Sequence, residues 1–384
     1  MPDSNTVCKI NKRCSGCHLQ NLTYAEQLKY KQSVVNKTFL GIIKPKRIIG
    51  MENPVNYRNK ATTAYSFSRS GEAISGVYQS KSGMVIPTDK CAIVDEDLNN
   101  ISNTITKLFA SFKLKPFNYK TKTGYIRSTT IRKGYKTNEI SVLITAGKSE
   151  NRVKPTFINA LIKAHPQIKT VVLNCNDKEK LLPGERIEVL LGNGSIISEV
   201  CGYKFNVPAD AFFQVNSSQA EILYSKAIEY AELTGKETVM DAYCGSGIIG
   251  LLAARSAKSV VGVEKNPYSI QTAKENAKLN NVKNIEFVCD DAGKYASESA
   301  CKGVKINTLF VDPPRAGCSK EFLESVCVLS PQKIVYVSCN IETLARDIRY
   351  LKRKGYIAKK LQPVDMFPFT KGIEAVALVE AISV

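Results

Sequence analysis

Apolar and polar positions divide the chain into three textures. Between residues 22 and 41, Leu28, Val34, Val35, Phe39 and Leu40 recur among lysines and glutamines, which predicts an amphipathic helix with a polar outer face. Thr23, followed three residues later by Glu26, supplies a capping-box start. From about 56 to 200 the pattern changes to short strands and glycine turns. Ala64-Tyr65-Ser66-Phe67-Ser68 alternates with period two, Arg69-Ser70-Gly71-Glu72 reads as a turn, and 73–78 resumes a strand. A helical patch at 98–112 interrupts this region. Residues 124–132 and 140–146 predict a second hairpin, and Gly192-Asn193-Gly194 turns a third.

From Ala211 onward, apolar strands alternate with helical periodicity, the pattern of a parallel doubly wound α/β sheet. A helix is expected over 217–233, followed by strands at 237–243 and 259–263. Further strands end near Asp290-Asp291, at Asp312 and at Ser338. The expected division is therefore 1–55, an N-terminal cysteine cluster and helix; 56–205, a β-rich central domain that includes Cys91; and 206–384, a Rossmann-like domain, with the junction near 203–210. No internal repeat is visible.

The chemistry lies at the predicted strand ends. In an open α/β sheet, ligands bind at the carboxyl edge of the strands. The first strand runs into Cys244-Gly245-Ser246-Gly247-Ile248-Ile249-Gly250, where glycines let the backbone approach a ligand, and the second ends in Glu264, placed to accept hydrogen bonds from ribose hydroxyls. Such a loop serves dinucleotides and S-adenosylmethionine alike. Asp312-Pro313-Pro314-Arg315 is more distinctive, because two prolines stiffen the backbone beside the cofactor edge. Beyond it, the run Ile334-Val335-Tyr336-Val337 delivers Cys339 to the same edge. Taken alone, Cys339 reads equally well as a buried structural cysteine.

Charge adds a partner. The chain of 384 residues carries 54 Lys and Arg against 35 Asp and Glu, a formal charge of +19, which favours a polyanion: nucleic acid first, an anionic membrane surface second. Lys81, Lys113, Lys115, Lys120, Lys122, Arg127, Arg132, Lys133 and Lys136 interleave with Tyr119, Tyr125 and Tyr135, a mixture suited to phosphate contact and base stacking. No apolar run is long enough for a membrane span, and the first ten residues lack the apolar core of a secretion signal, so a cytoplasmic location is expected. Twelve cysteines in a reducing compartment point to metal or chemistry rather than disulfides. Cys8, Cys14, Cys17 and the distant Cys91 could hold zinc or a [4Fe-4S] cluster; spacing alone ranks zinc first.

Several motifs together resemble one family. They are Phe212-Phe213-Gln214-Val215-Asn216, Asp241-Ala242-Tyr243-Cys244-Gly245-Ser246-Gly247, Asp312-Pro313-Pro314-Arg315-Ala316-Gly317-Cys318, Ser338-Cys339-Asn340 and Asp365-Met366-Phe367-Pro368. Cys14-Ser15-Gly16-Cys17 and Tyr57-Arg58-Asn59-Lys60 extend the likeness over nearly the whole chain. In this order they resemble the class I, S-adenosylmethionine-dependent RNA uridine-5-methyltransferases, which act on 23S ribosomal RNA and transfer RNA.

The resemblance implies that Cys339 is a nucleophile toward uracil C6 and Glu374 the general base that removes the C5 proton. It further implies cofactor contacts from Gln214, Tyr243, Gly245, Gly247, Glu264, Asp291 and Asp312, and target-base contacts from Phe212 or Phe213, Gln214 and Asp312. Asp291 is an adenine candidate. The target uridine must be flipped out or single-stranded. The likeness also reverses the metal ranking, making Cys8, Cys14, Cys17 and Cys91 ligands of a [4Fe-4S] cluster, and makes 56–205 an RNA-binding domain. 23S ribosomal RNA is the expected substrate, with the transfer RNA T-loop as the close alternative. A nucleotide-dependent oxidoreductase and a noncatalytic RNA-binding protein are remote alternatives. Two departures stand out. Phe369, Lys371 and Gly372 replace the histidines many relatives carry near the base, and the small β-barrel that relatives place before the cysteines is expected to be absent.

Overall fold

The computed structural model describes residues 8, 10, 13–68, 70–79, 82–119, 121–147, 153–175 and 186–382. The chain opens with helix α1 (Tyr24–Thr38). Thr23 and Glu26 form the expected reciprocal cap, with the Thr23 backbone N–H donating to Glu26 Oε2 at 2.7 Å. Then come strands β1 (Lys60–Phe67), β2 (Ala73–Tyr78) and β3 (Val85–Pro87), helix α2 (Glu96–Ser111), and strands β4 (Ile126–Lys133) and β5 (Ile140–Ala146). Helix α3 (Pro155–Ala164) leads to β6 (Ile168–Cys175), β7 (Arg186–Leu191), β8 (Ser195–Val200) and β9 (Tyr203–Pro208).

Two compact units result, and residues 53–200 and 205–217 belong to the first together with 1–21. Its seven-stranded sheet has the order β3-β2-β1-β4-β5-β6-β7, and β8 and β9 form a separate ribbon. Two of the three predicted hairpins are present, β1 with β2 and β4 with β5, whereas Gly192-Asn193-Gly194 joins β7 of this sheet to β8 of the separate ribbon instead of turning a hairpin. The sheet is not wholly antiparallel, because β5 and β6 run parallel. A parallel pair needs a crossover, and α3, not anticipated from the sequence, supplies it. Leu98, Ile101, Ile105 and Phe109 of α2 share a buried cluster with Phe157 and Leu161 of α3, and Phe109 stacks on Phe157 at 5.3 Å between ring centres.

The second unit comprises 22–52, 201–204 and 218–384. Its elements after α1 are α4 (Ser217–Ala231), β10 (Thr238–Ala242), α5 (Ile248–Ala253), β11 (Ser259–Glu264), α6 (Pro267–Leu279) and β12 (Ile285–Cys289). They continue with α7 (Ala292–Cys301), β13 (Thr308–Val311), α8 (Lys320–Leu329), β14 (Lys333–Ser338), α9 (Ile341–Lys352), β15 (Tyr356–Val364) and β16 (Glu374–Ala381). The strand order is β12-β11-β10-β13-β14-β16-β15. Strands β10 to β14 are mutually parallel, whereas β16 is antiparallel to both of its neighbours. This is a Rossmann-like α/β sheet whose order reverses between β10 and β13, which opens a crevice at their carboxyl ends.

Two expected boundaries move. Residues 22–52 leave the cysteine region for the second unit, because Val35 and Phe39 of α1 are fully buried in that unit's core. Residues 205–217 stay with the first unit. Asn59 fixes them there: its backbone N–H donates to Val215 O at 2.8 Å and its side-chain amide to Ser217 Oγ at 2.7 Å. The inner stripe of α1 also differs from expectation. Residues spaced by four share a helix face, and here they are Gln27, Lys31, Val35 and Phe39, all fully buried, while Leu40 is 81% exposed.

Candidate active site

Five parallel strands in register bring their carboxyl ends to one edge of the second unit. At the end of β10, Tyr243 (φ 62°), Gly245 (φ 53°) and Gly247 (φ 85°) adopt left-handed backbone. A Cβ on Gly247 would lie 2.9 Å from the Phe287 ring, so both conformation and space require glycine there. Glu264, the last residue of β11, holds this loop. Its carboxylate accepts from the Gly245 N–H at 3.3 Å and from the Asn266 N–H at 2.8 Å. Asp241 lies beneath, buried, accepting from the Gly250 N–H at 2.7 Å through Oδ2. Its Oδ1 has no partner among the described residues. Burial, then the charges of Asp312 and Glu264, push its carboxyl up to about 8 against the Gly250 hydrogen bond.

The reactive groups follow from the next strands. Cys339 comes directly after β14 and is partly exposed. Glu374 opens β16 and is buried. Strands β14 and β16 pair as far as Ser338 opposite Ala375. Continued by one residue, that antiparallel register sets Cys339 opposite Glu374 with both side chains on one face. Burial raises the Cys339 thiol, the nearby Glu374 and Asp312 carboxyls raise it further, and Arg315 opposes them. Glu374 itself is pushed up to about 8 by burial and then by Asp312, with Arg315 pulling down. Asp312 keeps some contact with solvent, yet desolvation pushes it up to about 7. Three acids, Asp241, Asp312 and Glu374, are therefore raised, and two of them, Asp312 and Glu374, act on the Cys339 thiol together with Arg315.

Arg315 stands in the quoted motif but received no role from the sequence; only the fold shows that its charge bears on both Cys339 and Glu374. Asn340 helps place it. Its side-chain oxygen caps α9 through the Glu342 N–H, and its amide donates to Arg315 O at 3.1 Å. Behind the loop, Asp347 accepts from the Cys318 N–H at 2.9 Å and from Tyr336 OH at 2.7 Å.

Other expected site residues have structural duties or belong to the first unit. Asp291 caps α7, accepting from the N–H groups of Gly293 and Lys294. Gln214 and Phe212 lie in the 205–217 segment of the first unit. Gln214 is buried with its carbonyl bound to Asn59, Phe213 packs near Phe205 at 6.3 Å, and Phe212 is 79% exposed. The basic patch is smaller than expected. Arg127 and Arg132 are buried, the former with its guanidinium 4.2 Å from the Phe117 ring, and Lys133 is paired with Asp95 and Asp97. Lys113, Lys115, Lys122 and Tyr119 remain at the surface, while Lys81 and Lys120 lie outside the described residues.

In the first unit, Cys8, Cys14, Cys17 and Cys91 line one cavity together with Gln20 and Ile93. Burial, followed by the other three sulfurs acting against the Gln20 hydrogen bond, pushes the Cys17 thiol up to about 12. Cys91 is likewise raised by burial, against donors from the Ile93 and Val94 backbone. The Gly16 N–H points at Cys14 Sγ at 3.4 Å. Four thiols lining one cavity, with N–H donors near sulfur, are the donor types of an iron-sulfur or zinc-thiolate site. Among the described residues, however, no group of three or more His, Cys, Asp or Glu side chains is arranged to hold a metal ion.

Comparison with known proteins agrees with this edge. The family profile of the tRNA (uracil-5-)-methyltransferases matches residues 195–382. An uncharacterized RNA methyltransferase of Halalkalibacterium halodurans is 39% identical over 97% of this chain and 82% of its own length. One of Caldanaerobacter subterraneus is 40% identical over 98% of this chain and 84% of its own. Among solved structures, the Pyrococcus abyssi tRNA (uracil-54, C5)-methyltransferase bound to S-adenosyl-L-homocysteine superposes with a TM-score of 0.80 at 26% identity, covering 96% of this chain and 86% of that one.

Proposed function

Because the chain belongs to the S-adenosylmethionine-dependent RNA (uracil-5-)-methyltransferases, we propose that it methylates C5 of a uridine in 23S ribosomal RNA through a transient bond between Cys339 and C6 of the base. Uracil C5 is too poor a nucleophile to take a methyl group unaided. The Cys339 thiol gives its proton to a neighbouring carboxylate, Asp312, as its sulfur adds at C6, and the ring becomes an enolate that reacts at C5, splitting one hard step into two easier ones. Gly245, Gly247 and Tyr243 would shape the loop that holds S-adenosylmethionine, Glu264 would bind its ribose and Asp312 would contact it, and the bound cofactor would supply an electrophilic methyl group. Glu374 then takes the proton from C5, and the electrons of that C–H bond expel the Cys339 sulfur. Burial and then Asp312 raise the Glu374 carboxyl, so that once ionised it is a stronger base than an ordinary glutamate.

The observation that supports this reading is that Cys339 and Glu374 adjoin the last pair of the β14–β16 ladder, Ser338 with Ala375, and that the Glu374 carboxyl acts on the Cys339 thiol. RNA carrying 5-fluorouridine tests it, because fluorine at C5 cannot leave as a proton. The expected result is a protein–RNA complex that survives denaturing electrophoresis and is lost in Cys339→Ala. Absence of the complex with a methylated substrate sequence refutes the covalent route.

We also assign Cys8, Cys14, Cys17 and Cys91 to a [4Fe-4S] cluster of structural role. Each iron of such a cluster takes one thiolate, so the four sulfurs need not converge on one point as they do around a single tetrahedral zinc. The exposed Phe212 ring offers a stacking surface to an RNA base. A second reading, the same chemistry on the T-loop uridine of transfer RNA, is supported by the fit to the P. abyssi enzyme.

A further inference from the structure

Helix α1 spends half of its inner stripe on polar side chains, and all of them reach one loop. That loop, 365–373, joins β15 to β16 and opens directly into Glu374, which pairs with Val364 across its mouth. Lys31 Nζ donates to Asp365 Oδ1 at 2.6 Å and to Phe367 O at 3.0 Å. Gln27 Oε1 accepts from the Phe369 N–H at 2.8 Å. Tyr24 OH, at the start of the same helix, donates to Asp365 Oδ2 at 3.0 Å, and Gln219 of α4 donates to Asp365 O at 2.9 Å. Alternate residues of the loop, 365, 367 and 369, are thus each held by a side chain from outside it. Phe369 is kept in left-handed backbone at φ 66°.

Stability is a poor explanation for this arrangement. Lys31 and Asp365 are both fully buried, and desolvating such a pair consumes much of what its attraction returns, so apolar replacements of equal volume are commonly as stable. The apolar half of the stripe, Val35 and Phe39, already anchors the helix in the core. Directional bonds to a carboxylate, a carbonyl and an N–H give something apolar packing does not, a defined position for each point of the loop.

We propose that Lys31 and Gln27 are positioning residues that clamp the 365–373 loop and so hold Glu374 over the C5 proton. The inference rests on Glu374 being the base of the proposed reaction. The clamp acts on the second half of that reaction only: Cys339 is carried by β14 and α9 and adds to C6 without it, while proton removal depends on it.

The test is single-turnover kinetics with S-adenosylmethionine and whichever RNA transcript, 23S or transfer, the protein methylates. Two variants are used: Gln27→Leu, and Lys31→Met/Asp365→Asn, which removes both charges of the pair and leaves neither buried alone. The expected result is adduct formation within about twofold of wild type and adduct breakdown slowed between about 10- and 100-fold, the scale on which a displaced catalytic group loses rate. Covalent complex then accumulates in both variants while the melting temperature holds. Equal slowing of both steps, or of neither, overturns the clamp and leaves α1 a structural helix. Glu374→Gln run alongside separates the two failures. If it accumulates adduct and the clamp variants do not, the clamp alone is wrong; if it accumulates none, the base assignment falls and the clamp with it.

Discussion

Cys339 directly follows and Glu374 directly precedes the Ser338–Ala375 pair, where the parallel β14 meets the antiparallel β16, and the Glu374 carboxyl raises the Cys339 thiol. A cysteine at one strand's carboxyl end and an acid at another strand's amino end reach one edge only because β16 runs backward. An all-parallel continuation would have placed the start of β16 at the opposite edge of the sheet.

Replacing Glu374 by Gln is expected to lower methylation by about 10²–10⁴-fold, the usual share of a general base. RNA binding persists, and a covalent RNA complex builds up on denaturing gels. Loss of RNA binding without any complex contradicts the assignment.

Cys339→Ala is expected to abolish methylation while leaving RNA affinity and melting temperature within error of wild type. Cys339 lies past the end of its strand and is partly exposed, so removing its sulfur opens no core cavity. Gel-shift and thermal-unfolding measurements on the variant check both halves.

The buried carboxyl of Glu374 also predicts a pH signature in stability. Its pKa rises on folding from 4.5 to about 8. Between those values the folded chain keeps a proton that the unfolded chain releases, so stability falls as pH rises through this window. Glu374→Gln carries no such proton. Its melting temperature is expected to match wild type near pH 4.5 and to exceed it increasingly toward pH 8; a constant difference across that range refutes the raised pKa.

Anaerobically purified protein is expected to contain iron and acid-labile sulfide, about four of each per chain, with both lost in Cys17→Ser. Stoichiometric zinc in colourless protein assigns the four cysteines to zinc instead.

Unmodified 23S ribosomal RNA and transfer RNA transcripts, methylated in parallel, separate the two substrates. Label is expected in the ribosomal transcript; label in transfer RNA alone transfers the assignment to the T-loop.

Much of this was legible in the linear chain. Strands β10 to β14, the glycine loop, Glu264 at a strand end and Cys339 after an apolar run follow from local periodicity and turn chemistry, and the motifs with their order identify the family. Such features are written in neighbouring residues. What the chain did not reveal depends on residues far apart in it. The polar stripe of α1 looked like an outer face because Gln27 and Lys31 are hydrophilic, and only the presence of Asp365, Phe367 and Phe369, more than 300 positions away, makes burying them tolerable. Arg127 and Arg132 read as surface cations for the same reason. The parallel β5–β6 pair and the reversed β16 are decisions of topology, and the shared environment that raises Asp312, Glu374 and Cys339 exists only once three strands have met. Hydrophobic period is a property of a segment. Desolvation and charge coupling are properties of what the fold brings around it.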